Sequence, residues 1–267
     1  MADYTVARID EMDGPEYNGI KMRSGDSVGI TTFGLNVGEI PGDADYPSHI
    51  DTEQEEVYIP VGGGGEIEIA GERRPLHPGT MARVGTGVVR KILPGSEGLR
   101  LLALGGIPGK PFDQADRQGS GKLTDEGTST DDWTIKQIDE MQGALGGAFK
   151  RARAELGVTS FGMQVIDMPP EFAHYPEHAD DVQEEVFVSL VGGGEIELDG
   201  ERHPFPEHSI ARVGLGVKRK IWPGSTGIRL LALGAIPGKP YEPGTASEIN
   251  GPDPGVDLPS EIFEPGD

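Results

Sequence analysis

The chain has 267 residues, 45 of them acidic and 23 basic, and carries a formal net charge of −22 at pH 7. So acidic a surface repels nucleic-acid phosphates and anionic lipids, which excludes nucleic acids and membranes as expected partners. The sequence has no cysteine, which excludes disulfide scaffolds, thiolate metal sites and cysteine nucleophiles.

Two further features of the composition concern the environment of the protein. No apolar run approaches membrane-spanning length and no signal segment opens the sequence, so we expect a cytoplasmic protein. Only nine of the 23 basic residues are lysine. A lysine-poor acidic composition suits a salt-accumulating organism, where molar salt screens carboxylate repulsion. An ordinary acidic protein with an acidic tail explains the composition equally well.

Short apolar stretches separated by Gly and Pro predict β-strands in the first half of the chain. The predicted strands are residues 56–61, 66–69, 82–84, 88–92 and 99–104. The glycine run at 62–65 is predicted to be a hairpin turn, and the Pro94-Gly95 pair a second turn. The one predicted helix covers residues 148–156 and ends at Gly157 as its C-cap. Many short strands at this spacing favour a β-sandwich or barrel.

The sequence is an internal repeat. Residues 49–112 align without gaps with residues 178–241, at a constant offset of 129, and 40 of the 64 positions are identical. The match extends upstream, where TTFGLNV from Thr31 corresponds to TSFGMQV from Thr159. A fixed long period of this kind indicates two copies of one structural unit.

The repeat predicts the domain organisation. We expect an N-terminal domain at 1–112 and a C-terminal domain at 132–241. The segment between them, 113–131, has one leucine and no aromatic residue, so it is predicted to be a flexible linker. The tail, 242–267, is acidic and rich in Pro and Gly, and disorder is its simplest expectation.

Both copies resemble the cupins. The first cupin motif, G(x)5HxH(x)3–4E(x)6G, is matched from its first His onward by His49, Asp51, Glu56 and Gly63 and by His178, Asp180, Glu185 and Gly192. Asp replaces the second His, and the leading Gly is missing. In the second motif, Arg90 and Arg219 stand where the family has His. The resemblance covers about 220 of the 267 residues. It implies an all-β fold of two tandem cupin (double-stranded β-helix, jelly-roll) barrels packed as an internal pseudo-dimer.

The resemblance also indicates where a metal would bind. In metal-bearing cupins, three His and one Glu hold a divalent ion in the barrel lumen. The corresponding residues here are His49, Asp51, Glu56 and Arg90, and His178, Asp180, Glu185 and Arg219. An arginine stays protonated and cannot be a ligand, and its charge takes the place of the ion's. We therefore expect no tightly bound metal, with each guanidinium paired to a motif carboxylate instead.

Three functions follow as hypotheses. The first is a metal-independent bicupin that binds a small anionic or polyhydroxy ligand in its lumens. Strand alternation places further side chains on the ligand face, so the candidate ligand-binding residues are Arg90, Arg219, Tyr58, Phe187, Gln54 and Gln183. The second is a metal-dependent dioxygenase, decarboxylase or isomerase with Fe, Mn, Ni or Zn on its His–Asp–Glu sets. The third is a degenerate structural or storage cupin. The expected partners are a small molecule and, as a homodimer, a second copy of the chain.

Other strand residues have simpler interpretations. Arg83 and Arg212 lie in matching ARVG segments. They are predicted to face solvent, and the alternative is that they help Arg90 and Arg219 to hold a carboxylate ligand. The apolar faces of the motif strands are predicted to supply the contact between the two barrels; their residues are Val57, Ile59, Val61, Val186, Val188 and Leu190.

Overall fold

The computed structural model describes residues 3–113, 122–123, 132–144, 147–172 and 175–242. Most of the predicted linker, and the predicted tail beyond Glu242, lie outside these residues. Within the described ranges, no helix is long and apolar enough to cross a membrane.

The regular secondary structure of the described chain is almost entirely β-strand. The first ten are β1 (Tyr4–Arg8), β2 (Glu16–Tyr17), β3 (Ile20–Ser24), β4 (Gly34–Ile40), β5 (His49–Ile50), β6 (Glu55–Ile69), β7 (Glu72–Leu76), β8 (Thr80–Val84), β9 (Arg90–Gly106) and β10 (Lys122–Leu123). The others are β11 (Trp133–Gln137), β12 (Gly143–Ala144), β13 (Phe149–Lys150), β14 (Gly162–Met168), β15 (Glu184–Leu198), β16 (Glu201–Phe205), β17 (Ser209–Val213) and β18 (Arg219–Ala235). One α-helix, α1 (Ala152–Leu156), and short 3₁₀ turns at Ile9–Glu11, Gly25–Val28 and Ile138–Glu140 complete the described part.

The strands form two antiparallel sheets, as the all-β prediction requires. The first has the order β11-β8-β6-β9-β4-β3-β2, with β7 beside β6, and with β5 pairing β9 and β10. The second has the order β1-β17-β15-β18-β14-β13-β12, with β16 beside β15. Corresponding strands of the two repeats thus occupy corresponding places in the two sheets.

The first strand of each repeat lies in the sheet of the other repeat. Strand β1 pairs with β17, with Tyr4 opposite Val213. Strand β11 pairs with β8 in the same way, with Trp133 opposite Val84. This exchange makes backbone hydrogen bonds between the two repeats at both places. The boundaries drawn at 1–112 and 132–241 remain a prediction.

The glycine runs lie within long bent strands, so the predicted hairpin at 62–65 was wrong. Strand β6 continues through the run, with register shifts against β9 between Pro60 and Gly62 and between Gly63 and Gly65. Gly63 has φ +65, and a Cβ there would lie 2.2 Å from the carbonyl oxygen of Gly98. Glycine permits a bulge of this kind without ending the strand. The predicted turn at Pro94-Gly95 was wrong for the same reason, since both residues lie within β9.

The predicted helix was right at its end and wrong at its start. Gly157 has φ 76 and forms the left-handed C-cap of α1. The helix begins only at Ala152, because Phe149 and Lys150 pair as a strand with Ile166 and Val165. Cross-strand pairing overrides helical propensity in this segment.

The buried apolar residues of the described chain form a central cluster and one cluster within each repeat. The central cluster contains all six residues predicted for the contact, namely Val57, Ile59, Val61, Val186, Val188 and Leu190. The fully buried rings of Phe33 and Phe161 meet there at 5.6 Å. Tyr58 and Phe187 belong to the clusters within the repeats, on the opposite face of their strands.

Candidate functional site

Arg90 is the centre of the site in the first repeat. It begins β9, and its side chain is only 1% exposed. Its guanidinium donates hydrogen bonds to Glu56, to the Tyr58 hydroxyl at 3.1 Å and to the Val88 carbonyl at 3.3 Å. The predicted pairing of the motif arginine with a motif carboxylate is therefore present, and Glu56 is the carboxylate. Burial lowers the pKa of Arg90 to about 10, which leaves it protonated at neutral pH.

His49 lies beside this pair, and its side chain is partly exposed. Strand β5 sets it opposite Arg90 across a backbone pairing. Its Nε2 lies 3.4 Å from the Tyr58 hydroxyl and 3.7 Å from Glu56 Oε2. Burial, followed by the charge of Arg90, lowers the pKa of His49 to about 4. The imidazole is therefore neutral at pH 7 and offers one donor and one acceptor.

The motif aspartates stabilise turns. Asp51 Oδ1 accepts the backbone N–H groups of Glu53 at 2.9 Å and Gln54 at 2.7 Å. In the second repeat, Asp180 Oδ1 accepts those of Val182 at 2.7 Å and Gln183 at 2.8 Å. These bonds fix the loops that lead into β6 and β15. The candidate residues Gln54 and Gln183 take part in them through their backbone N–H groups.

The second repeat has the same arrangement with one difference. Arg219 is 1% exposed and donates to Glu185 and, at 3.1 Å, to the Val217 carbonyl. Phe187 takes the place of Tyr58 and supplies no hydroxyl. Arg219 Nε is buried and has no hydrogen-bond partner among the residues that the structure describes. Burial, only partly offset by Arg219, raises the pKa of Glu185 to about 6.

The motif residues do not fit the metal that the cupin resemblance implies. Among the residues that the structure describes, no group of three or more His, Asp or Glu side chains could hold an ion. Arg90 and Arg219 place a cation directly on the motif glutamates. Asp51 and Asp180 direct an oxygen toward backbone N–H groups. A divalent ion would have to displace these contacts.

Arg83 was predicted to face solvent, and this was wrong, because the residue is only 8% exposed. It donates at 2.8 Å to Glu55, which is fully buried, and it also pairs with Asp132. Arg83 therefore contributes to the contact between the two repeats, and the structure gives it no contact with Arg90 among the described residues. Arg212 is partly buried and pairs in the same way with Glu184, at 2.7 Å, and with Asp3.

Glu55 and Glu184 join the two repeats through polar contacts that the sequence did not predict. Glu55 Oε1 accepts the backbone N–H groups of Thr159 and Ser160, each at 2.7 Å, and both of their hydroxyls. Glu184 accepts the N–H of Thr31 at 3.0 Å and the hydroxyl of Thr32 at 2.8 Å. We call these two sets of contacts the glutamate clasps. They lie outside the ligand face, one residue before the motif glutamates.

Sequence reasoning also missed two tyrosines at the site. The Tyr46 ring lies 6.0 Å from the His49 ring, and the Tyr175 ring lies 5.8 Å from that of His178. Burial raises the pKa of both phenols. The signal was available, because the repeat offset continues three residues upstream, where YPxH precedes both motifs.

Acidification is expected to destabilise the protein through His49. Its pKa of about 4 lies below the ordinary value of 6.5, so the unfolded chain takes up the proton first. The free energy of unfolding should fall by about 3 kcal/mol as the pH drops from 6.5 to 4. Urea unfolding of the protein and of His49→Gln across this range measures the effect. Equal pH dependence of the two proteins would contradict it.

Solved structures similar to this chain share its fold. Protein Ylba from E. coli has a TM-score of 0.63 at 11% identity, covering 90% of this chain and 93% of that one. A mutant of salicylate 1,2-dioxygenase from Pseudoaminobacter salicylatoxidans, in complex with gentisate, has a TM-score of 0.64 at 11% identity, with 87% and 82% covered. A mutant of Bacillus subtilis oxalate decarboxylase OxdC has a TM-score of 0.62 at 10% identity, with 90% and 79% covered. These are cupin-fold proteins, so the likeness shows a cupin-like β fold.

No protein-family model matches the chain, and no curated protein matches it in sequence. Because the sequence identity is only 10–11%, the structural likeness shows a shared fold and not a shared activity.

Proposed function

We propose that the chain is a bicupin, with two barrels packed as an internal pseudo-dimer, that binds a small polyhydroxy or anionic ligand in its lumens without a tightly bound metal. The observation that carries this proposal is the contact of Arg90 with Glu56 and of Arg219 with Glu185. A fixed, buried guanidinium supplies the positive charge that a metal would supply in this place.

Three contacts between the repeats support the pseudo-dimer. The exchanged strands β1 and β11 join each sheet to the other repeat. The central cluster takes apolar residues from both repeats. The glutamate clasps add buried polar contacts in both directions. Two barrels joined in this way present two lumens in fixed relation.

The polar groups at the site favour a polyhydroxy ligand over an anion. The Arg90 charge is already balanced by Glu56, and Arg90 itself is almost fully buried. The groups that reach solvent are the Glu56 side chain, 22% exposed, and the neutral His49 side chain, 17% exposed. A carboxylate and an imidazole accept hydrogen bonds, which hydroxyl groups can donate, whereas an anion would be repelled by Glu56.

Elemental analysis and ligand titration together test the proposal. We expect the purified protein to contain no stoichiometric Fe, Mn, Ni or Zn. We expect polyols such as sorbitol, glycerol and myo-inositol to bind in calorimetric titrations. Glu56→Ala combined with Glu185→Ala should weaken this binding, while Glu97→Ala, a change at an exposed position, is the matched control.

The competing hypothesis, a metal-dependent dioxygenase, decarboxylase or isomerase, makes the opposite prediction. Two of the similar structures are named as a dioxygenase and a decarboxylase. A stoichiometric metal lost in His49→Ala and His178→Ala would favour that enzyme and end the metal-independent proposal. Absence of binding by every polyol and carboxylate tried would favour the structural or storage alternative.

A further inference from the structure

The two lumen sites differ by one functional group. Tyr58 in the first repeat corresponds to Phe187 in the second at the repeat offset, and both rings are buried. The neighbouring arginine, glutamate and histidine are the same in both sites. The hydroxyl of Tyr58 is therefore present in one site and missing from the other.

In the first site that hydroxyl completes a closed set of hydrogen bonds. It accepts from Arg90 Nε at 3.1 Å and donates to Glu56 Oε2. Arg90 also donates directly to Glu56 and to the Val88 carbonyl. All three nitrogens of the guanidinium thus have partners from within the protein.

In the second site the corresponding set of hydrogen bonds lacks one acceptor. Arg219 keeps its bonds to Glu185 and Val217, but its Nε, in a side chain only 1% exposed, has no partner in the described part of the chain. Buried donors in native proteins almost always have a partner, from the protein or from a bound molecule. The open donor therefore marks the place where the second site lacks the oxygen that Tyr58 supplies in the first.

We infer that the second lumen is the ligand-binding one of the pair, and that an alcohol hydroxyl of the ligand takes the position that the Tyr58 hydroxyl takes in the first. It would accept the Nε–H of Arg219 and donate to Glu185. This inference rests on the proposed function and narrows it to one site and one functional group.

The chemistry of the position selects an alcohol. The oxygen must accept from Arg219 and donate to Glu185, which a hydroxyl does and a carboxylate or an ammonium group does not. A carboxylate would also lie against the charge of Glu185. His178 is 35% exposed, against 17% for His49, whereas Glu185 is 10% exposed, against 22% for Glu56. A linear polyol could insert one terminal hydroxyl and leave the others beside His178.

Reciprocal substitutions provide the test, with sorbitol as the probe. Calorimetry should give one sorbitol per chain for the natural protein. Phe187→Tyr supplies the missing hydroxyl and should weaken sorbitol binding by about tenfold or more, the equivalent of one hydrogen bond. Tyr58→Phe opens the first site and should raise the stoichiometry to two. Thermal unfolding of both variants checks that they fold.

The NMR signal of the arginine Nε–H group gives an independent readout. In the free protein, the Arg219 Nε–H should exchange with water faster than that of Arg90. Sorbitol should slow the exchange and shift the signal, and Phe187→Tyr should have the same effect without sorbitol. Exchange equally slow in both arginines of the free protein would overturn the inference.

The outcomes separate this inference from the proposed function. Equal sorbitol binding in both lumens, or binding of carboxylates alone, leaves the proposed function standing and overturns the inference. An Arg219 Nε–H signal that no polyol alters means that water alone fills the position, which also overturns it. A stoichiometric metal would overturn the proposed function, while the Nε–H comparison would still report on the open donor.

Discussion

Replacing Glu55 with alanine is expected to lower the free energy of unfolding by about 3–5 kcal/mol, the usual cost of removing one partner from a buried ion pair. Glu55 is fully buried and accepts hydrogen bonds from Arg83, Thr159 and Ser160. Alanine would leave the Arg83 charge and two backbone N–H groups buried with reduced pairing. Urea unfolding at pH 7 measures the loss. Glu184→Ala should give a similar loss, because that residue forms the other clasp.

The control for this prediction is Glu97→Ala, since Glu97 is exposed and surface substitutions rarely exceed about 0.5 kcal/mol. A second comparison is the double variant Glu55→Ala with Arg83→Met. Removing both charges should recover part of the stability that the single variant loses. A Glu55→Ala protein as stable as the Glu97→Ala protein would show that the clasp contributes nothing to folding.

The pairing of Arg90 with Glu56 was predictable, whereas the clasps were not. The cupin resemblance implies that the two motifs meet in one site, so it predicts this contact although Glu56 and Arg90 lie 34 residues apart on different strands. Glu55 points to the opposite face, and its partner Thr159 lies 104 residues away in the other repeat. Composition and alternation are local signals. They gave no reason to connect Glu55 with Thr159, and for the same reason Arg83 was assigned to solvent.

The predicted turns at residues 62–65 and 94–95 were wrong for a different physical reason. Glycine runs favour both hairpin turns and bulges, and the local sequence does not distinguish them. Here the contact of Gly63 with Gly98, a residue 35 positions later, selects the bulge. The exchange of β1 and β11 is equally non-local, because their partners, β17 and β8, lie in the other repeat. The all-β prediction is correct despite these local errors, because it depends on the number and spacing of the strands.

Arg219→Met is the second prediction with a large expected effect. The arginine is almost fully buried, and Glu185, its partner, is only 10% exposed. Without the guanidinium, Glu185 must be buried either charged and unpaired or protonated. Since burial already holds the pKa of Glu185 at about 6, loss of the arginine should raise it further. We expect the free energy of unfolding to fall by about 3 kcal/mol at pH 7, and the loss to shrink as the pH is lowered and Glu185 takes up a proton.

A paired substitution separates the contribution of the buried charge to stability from that of packing. Arg219→Met combined with Glu185→Met leaves no buried charge and should recover most of the stability, because apolar replacements of a buried pair are often neutral. Arg73→Met is the control, since Arg73 is 60% exposed and pairs with Glu66 and Glu68 at the surface; its cost should stay below about 1 kcal/mol. If the double variant is as unstable as the single one, the site depends on the shape of Arg219 rather than its charge. Recovery of stability together with loss of sorbitol binding would instead mean that the buried pair is retained for its ligand and not for the fold.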